Sequence, residues 1–184
     1  ADAAPAAIAQ AALTAHGHQL PARMIGEYSC LHAAPDGAVT LVQSAALRDP
    51  LHYAVGRGCL AVSSAALALA RLPWVGRELD PVGFAAWMGR ARTRPLRDNR
   101  TILRRVCEVL PGETVHIAPD GRIARAAADL FAPVPRFAGN RADALAAAED
   151  LLLRIMGARM ARQAKPAILL SGGIDSSLLA MLMA

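Results

Sequence analysis

Residues Ala167-Ile168-Leu169-Leu170-Ser171-Gly172-Gly173-Ile174-Asp175-Ser176-Ser177-Leu178-Leu179-Ala180-Met181-Leu182 hold the densest chemistry in the chain. An apolar run, a glycine turn crowded with hydroxyls and a second apolar run read as a buried strand, a tight turn and a helix beginning near Ser176. A junction of this kind suits phosphate. Two adjacent glycines let the backbone approach a ligand with no Cβ in the way. The first N–H groups of a helix have no partner inside it, and the helix dipole favours an anion there. Ser171, Ser176 and Ser177 add hydroxyl groups.

The stretch is not a Walker loop, because G-x-x-x-x-G-K-[ST] is absent and the single lysine, Lys165, precedes the expected strand. An acid stands inside the turn instead. Asp175 would repel a phosphate unless a divalent cation lay between them, which implies Mg²⁺. Ser171-Gly172-Gly173-Ile174-Asp175-Ser176 resembles the PP-loop of the N-type ATP pyrophosphatases, whose pattern is S-G-G-x-D-S. The resemblance implies an enzyme that cuts ATP between its α and β phosphates, adenylates a carboxylate or carbonyl, and lets an amine displace AMP. It also implies that Ser171, Gly172, Gly173, Asp175, Ser176 and Ser177 bind ATP, with Asp175 on the Mg²⁺. None of these residues is a nucleophile, so no catalytic side chain is assigned.

The remaining composition narrows the class. A chain of 184 residues that is 54% hydrophobic can bury a core and suits one or two domains. No apolar stretch approaches the roughly 20 residues of a membrane span. The opening Ala1-Asp2-Ala3-Ala4-Pro5 lacks a basic region ahead of an apolar one, so no signal peptide is expected. Cys30, Cys59 and Cys107 are odd in number and lack metal spacing. They read as reduced cytoplasmic thiols, each a small buried hydrophobe in or beside a strand. The five histidines show no metal spacing and read as structural or solvent-facing. Asp49, Asp80 and Asp129 read as turn or cap residues. The net charge of +5 gathers in Arg90, Arg92, Arg94, Arg97, Arg100, Arg104 and Arg105. With Trp87 alone nearby for stacking, this cluster reads as a solvated loop, or a surface meeting another domain or an acidic peptide. It does not read as a nucleic-acid site.

Upstream of the glycine turn the chain is punctuated like a β-rich domain. A helix is expected over 6–20 with a stop at Gly17. Strands are expected at Tyr28-Ser29-Cys30-Leu31 and Val39-Thr40-Leu41-Val42 around a Pro35-Asp36-Gly37 turn. A second hairpin is expected at Leu51-His52-Tyr53-Ala54-Val55 and Cys59-Leu60-Ala61-Val62. Ser63 or Ser64 should cap a short helix running to Leu72, and Asp80-Pro81 should open another over Val82 to Met88. Further strands are expected at Thr114-Val115-His116-Ile117 and from Ile123. Pro133 and Pro135 mark a linker. Asn140 and Asp143 open a long helix with an apolar stripe of Leu145, Ala148, Leu152, Ile155, Met156 and Met160, edged by Arg159.

This order is similar to the asparagine synthase family, which joins a glutaminase-like sandwich to a PP-loop synthetase. Leu51-His52-Tyr53-Ala54 looks like its P-L-Y-Y-A strand, and Leu60-Ala61-Val62-Ser63-Ser64 resembles its L-x-F-A-S-E segment. Leu79-Asp80-Pro81 resembles the start of the following helix, and Val109-Leu110-Pro111-Gly112-Glu113 resembles its L-P-P-G turn. The expected fold is an incomplete α+β sandwich of glutaminase type over 1–135. The first βα unit of an α/β parallel-sheet PP-loop domain follows over 136–184. The resemblance implies an ATP-dependent amide-forming ligase, acting on a small-molecule or peptide carboxylate and completed by the remainder of a synthetase domain. The chain accordingly reads as a piece of a longer enzyme. Glutamine-hydrolysing members carry a cysteine as residue one, where Ala1 stands here, and the segment before the P-L-Y-Y strand is shortened to Arg48-Asp49-Pro50. These departures tilt the reading toward cysteine-less relatives such as the lasso peptide and β-lactam cyclases. Asparagine synthetase itself, or a non-catalytic module with a vestigial loop, are the alternatives.

Overall fold

A computed structural model describes residues 4–46, 50–89, 98–130, 136–161, 165 and 167–183. The chain divides into two compact units, residues 1–132 and 133–184.

In the first unit, helix α1 (Pro5–His16) starts on a proline and ends where Gly17 takes a positive φ of 51°. A 3₁₀ turn (Gly17–Gln19) and the short α2 (Leu20–Arg23) follow. Strands β1 (Ser29–Ala33), β2 (Val39–Gln43), β3 (His52–Gly56) and β4 (Cys59–Ser63) form two hairpins. Helices α3 (Ala66–Leu69) and α4 (Pro81–Met88) precede β5 (Cys107–Glu108), β6 (Glu113–Ile117) and β7 (Ile123–Ala127). The strands make two antiparallel sheets, β1-β2-β6-β7 and β4-β3-β5. The chain therefore leaves the first sheet after β2, builds the second, and returns through β6.

Alternation along the strands explains the layering. Leu41, Val115 and Ile117 from the larger sheet share one apolar cluster with Tyr53 of β3 and Val109 beyond β5. The opposite face of β3 presents Ala54, which packs with Leu69, Ala70, Val75, Leu103 and Val106. The small side chain at position 54 suits a face covered closely by helix and loop. Tyr53, fully buried, keeps its hydroxyl satisfied by accepting from Asn99 Nδ2 at 3.3 Å, and burial pushes its pKa up to about 12.

Two hairpin turns share one chemistry. In Ala34-Pro35-Asp36-Gly37 the Asp36 carboxylate accepts from Ala38 N at 3.0 Å while Gly37 adopts φ 88°. In Ala118-Pro119-Asp120-Gly121 the Asp120 carboxylate accepts from Arg122 N at 3.0 Å while Gly121 adopts φ 85°. Proline fixes the first turn residue, aspartate bonds two residues on, and glycine supplies the left-handed position.

Asp80 caps α4, its carboxylate accepting from Val82 N at 2.9 Å and Gly83 N at 3.3 Å, with Pro81 at the first helical position. The α3 region differs from expectation. The helix spans Ala66–Leu69 and its N-cap is Ala65 without a side-chain cap bond. The Ser63 hydroxyl is spent instead on the N–H of the N-cap residue Ala65, at 3.1 Å, ahead of the helical N–H groups a cap would bond. The linker prolines Pro133 and Pro135 and most of the arginine cluster, from Arg90 to Arg97, lie outside the described residues.

The second unit contains helices α5 (Arg141–Met160) and α6 (Ile174–Met183). A capping box starts α5. Asn140 Oδ1 accepts from Ala142 N and Asp143 N at 2.8 and 3.1 Å, and Asp143 Oδ2 accepts from Asn140 N at 3.0 Å. The half-buried positions on its stripe are Leu152, Met156 and Met160, one turn apart, on a helix that contacts α6. Ala167–Leu170, expected as a buried strand, is neither a strand nor buried: Leu169 is 92% exposed and Leu170 60% exposed. A strand exists by pairing, and among the described residues none pairs with this run, so it is left without a ladder. The helix also begins two residues earlier than expected, at Ile174.

Gly83 tests the packing of the first unit. Alanine in place of glycine inside a helix is ordinarily favourable by about 1 kcal/mol. Here a Cβ would overlap the Thr101 carbonyl oxygen, whose loop is held by the Thr101 hydroxyl donating to Val106 O at 2.8 Å. Gly83→Ala is expected to destabilise the protein by about 1–3 kcal/mol in urea unfolding. A neutral or stabilising result would contradict this close approach.

Candidate functional site

The glycine–serine turn leads directly into α6. Gly172 adopts φ 78°, and nothing lies within 4 Å of where its Cβ would be, so the turn has an open outer side. The first α-helical bond is Ser177 N to Gly173 O at 3.1 Å. Among the described residues, the N–H groups of Ile174, Asp175 and Ser176 have no backbone or side-chain acceptor, as the first turn of a helix requires. The Asp175 carboxylate lies exposed in that first turn and has no hydrogen-bond or ion-pair partner among the described residues.

The three hydroxyls hold the turn together. Ser176 Oγ donates to Gly173 O at 3.1 Å, and Ser177 Oγ donates to the same carbonyl at 2.9 Å. Ser171 N donates to Ser176 Oγ at 3.4 Å, and the two serine oxygens sit 3.2 Å apart. Ser176 therefore ties the entry of the turn to the start of the helix. The proton of each helical serine is on the loop's own carbonyl, so an incoming acceptor meets backbone N–H groups first, and the hydroxyls donate to it only after rotating. The donor set is otherwise suited to an anion with a cation beside it: free N–H groups, a helix N-terminus, and one carboxylate able to ligate a hard metal. Among the described residues, no three His, Cys, Asp or Glu side chains gather into a separate metal-holding set.

The thiols occupy three environments. Burial pushes the Cys30 and Cys107 thiols up, opposite to an activated nucleophile. Cys59 departs from expectation: it is exposed, not a buried hydrophobe. It closes the two-residue β3–β4 turn opposite Gly56, where the second side chain of the hairpin leaves the sheet edge. His52 is half-buried and burial lowers its pKa, whereas His116 is exposed with Nδ1 3.2 Å from Thr40 Oγ1.

One feature without a sequence signature is a cavity of about 560 Å³ at the end of the sandwich where the three hairpin turns meet. Val39, Val55, Leu60 and Ile117 line it together with the polar residues Arg57, Cys59, Arg105 and Asp120. The turns themselves were readable, but their convergence is set by the pairing of strands distant in the chain.

Residues 147–184 match the family model described as Asparagine synthase. The matched segment takes in most of α5, the glycine–serine turn and α6. No curated protein matches the chain.

The thiols provide a check on these environments. With an aromatic disulfide reagent, the folded chain is expected to show one fast-reacting thiol, lost in Cys59→Ser, and two slow ones. A fast phase that survives Cys59→Ser would place the accessible thiol elsewhere.

Proposed function

We propose that this chain carries the ATP-phosphate-binding turn of an ATP-dependent, AMP-forming, amide-bond-forming ligase. The observation that carries the reading is the pairing of the Asparagine synthase match over 147–184 with the open turn ahead of α6. That family's chemistry uses ATP and Mg²⁺. ATP supplies the activation: a carboxylate oxygen bonds to the α-phosphorus as the bond to pyrophosphate breaks, and an amine then displaces AMP to give the amide.

The residues of the chain bind and orient. Backbone N–H groups of Ile174, Asp175 and Ser176 face the phosphates, since no helical carbonyl lies in front of them. Gly172 and Gly173 keep that approach clear of side chains. Ser171, Ser176 and Ser177 become donors by swinging their hydroxyls from Gly173 O and from one another. Asp175 holds the Mg²⁺ that offsets its own repulsion of the phosphates. Fixed donors of this kind stabilise charge as it builds on the departing pyrophosphate.

Within this class the reading leans toward a cysteine-less member that joins a carboxylate and an amine of the same small-molecule or peptide substrate. The observation favouring it is that Cys30 and Cys107 have raised thiols and Cys59 sits on a hairpin turn, so none resembles an amine-activated nucleophile. Residues 1–135 then correspond to a glutaminase-like sandwich without glutaminase chemistry, and 136–184 to the start of the synthetase domain. A glutamine-hydrolysing asparagine synthetase is the alternative.

In the full-length protein, Asp175→Ala is expected to reduce ATP–pyrophosphate exchange by about 10²–10³-fold. Exchange near the wild-type rate would overturn the role given to the turn. Exchange without glutamine hydrolysis would favour the cyclase-type reading over asparagine synthetase.

A further inference from the structure

We infer that Ser177 is a positioning residue of the glycine–serine turn: its hydroxyl stays on the Gly173 carbonyl, so that the Ser176 hydroxyl can leave that carbonyl for a phosphate oxygen. The inference rests on the phosphate role proposed above and narrows it, because the serine hydroxyls then do different work. Ser177 lies one residue past the S-G-G-x-D-S stretch, which runs from Ser171 to Ser176.

Gly173 O accepts three hydrogen bonds. Ser177 N donates to it at 3.1 Å, Ser177 Oγ at 2.9 Å and Ser176 Oγ at 3.1 Å. A carbonyl oxygen has two lone pairs, so one of three donors is surplus. The bond from Ser177 N is the first of the α6 ladder and is fixed by the helix itself. The bond from Ser177 Oγ is the shortest of the three, and a serine one turn into a helix is well placed to bond back to the carbonyl four residues earlier. Among the described residues this hydroxyl makes no other hydrogen bond. Ser177 alone therefore fills both lone pairs of Gly173 O.

Ser176 is placed differently. Its oxygen also accepts from Ser171 N at 3.4 Å and lies 3.2 Å from Ser171 Oγ. Contacts on both sides hold the Ser176 oxygen at the entry of the turn even when its proton is redirected. The Ser176 O–H is thus the surplus donor on Gly173 O. Turning it to a ligand exchanges a shared bond to a neutral carbonyl for one to a charged phosphate oxygen, and charge-assisted bonds are the stronger kind. Without the Ser177 hydroxyl the same turn would strip Gly173 O of its second donor. Ser177 then acts on binding without touching the ligand.

The test is a double-mutant cycle on the full-length protein, with binding of magnesium pyrophosphate read by titration calorimetry and urea unfolding measured for each variant. Ser177→Ala is expected to weaken binding about three- to tenfold. Its urea midpoint should stay close to that of the unaltered protein, since Gly173 O keeps two donors. Ser177→Thr, which returns a hydroxyl to the same place, is expected to bind as the unaltered protein does. In a Ser176→Ala background, adding Ser177→Ala is expected to change binding by less than about twofold, because no hydroxyl is left to release. An equal loss in both backgrounds would make Ser177 a direct phosphate ligand, and unchanged binding in Ser177→Ala would show that Ser176 needs no help. Either result overturns the inference and leaves the phosphate role of the turn standing. Failure of the unaltered protein to bind magnesium pyrophosphate would overturn that role and the inference together.

Discussion

The pairing of β2 with β6 joins Val39 to Ile117 and Val42 to Thr114, residues far apart in the chain. Every other feature of the first unit depends on that ladder. It places β1 and β7 at the outer edges of one sheet and brings Leu41, Val115 and Ile117 onto one face. It also forces the intervening segment to form a second sheet that must bury Tyr53 against that face. The backbone groups of a buried strand have no water to fall back on, so the ladder and the core are made together or not at all. The interior charge is handled in the same way. The Glu113 carboxylate, at the start of β6, accepts from Leu110 N at 2.8 Å and pairs with Arg125 of β7 at 2.7 Å. A buried acid is tolerable there because both of its oxygens have partners.

The second unit shows the converse. Ala167–Leu170 has the composition of a strand, yet among the described residues no neighbouring strand offers it a ladder, and its leucines stand in solvent. The glycine–serine turn beside it is ordered without that support, because its bonds are local. Ser171, Ser176 and Ser177 close on Gly173 across five residues or fewer. A turn built from local bonds needs no ladder beside it.

Two kinds of surface therefore differ in how they are encoded. The turn ahead of α6 is a contiguous motif, and its glycines, hydroxyls and acid were legible from Ser171 to Ser177. The cavity at the hairpin end draws Arg57, Arg105 and Cys59 from separate segments, so no local pattern announces it. The exposure of Cys59 was missed for the same reason. Its sequence neighbours are strand-like, but its place opposite Gly56 at the end of a hairpin puts the thiol at an edge. The cap assigned to Ser63 or Ser64 failed on a finer point: the hydroxyl found Ala65 N before the helix began.

By itself the sequence determined the features governed by short-range chemistry. These include the hairpin turns at Pro35-Asp36-Gly37 and Pro119-Asp120-Gly121, the caps at Asp80 and Asn140, the strands β2, β3, β4 and β6 to within a residue or two, and the composition of the glycine–serine turn. Proline, aspartate and glycine act through their own dihedral angles and hydrogen bonds, which neighbours a few residues away suffice to satisfy. Only the tertiary structure decided which strands pair, that Ala167–Leu170 is unpaired among the described residues, and that three turns converge on one cavity. Those outcomes depend on partners distant in the chain, and an apolar run carries no information about which backbone will meet its N–H and C=O groups.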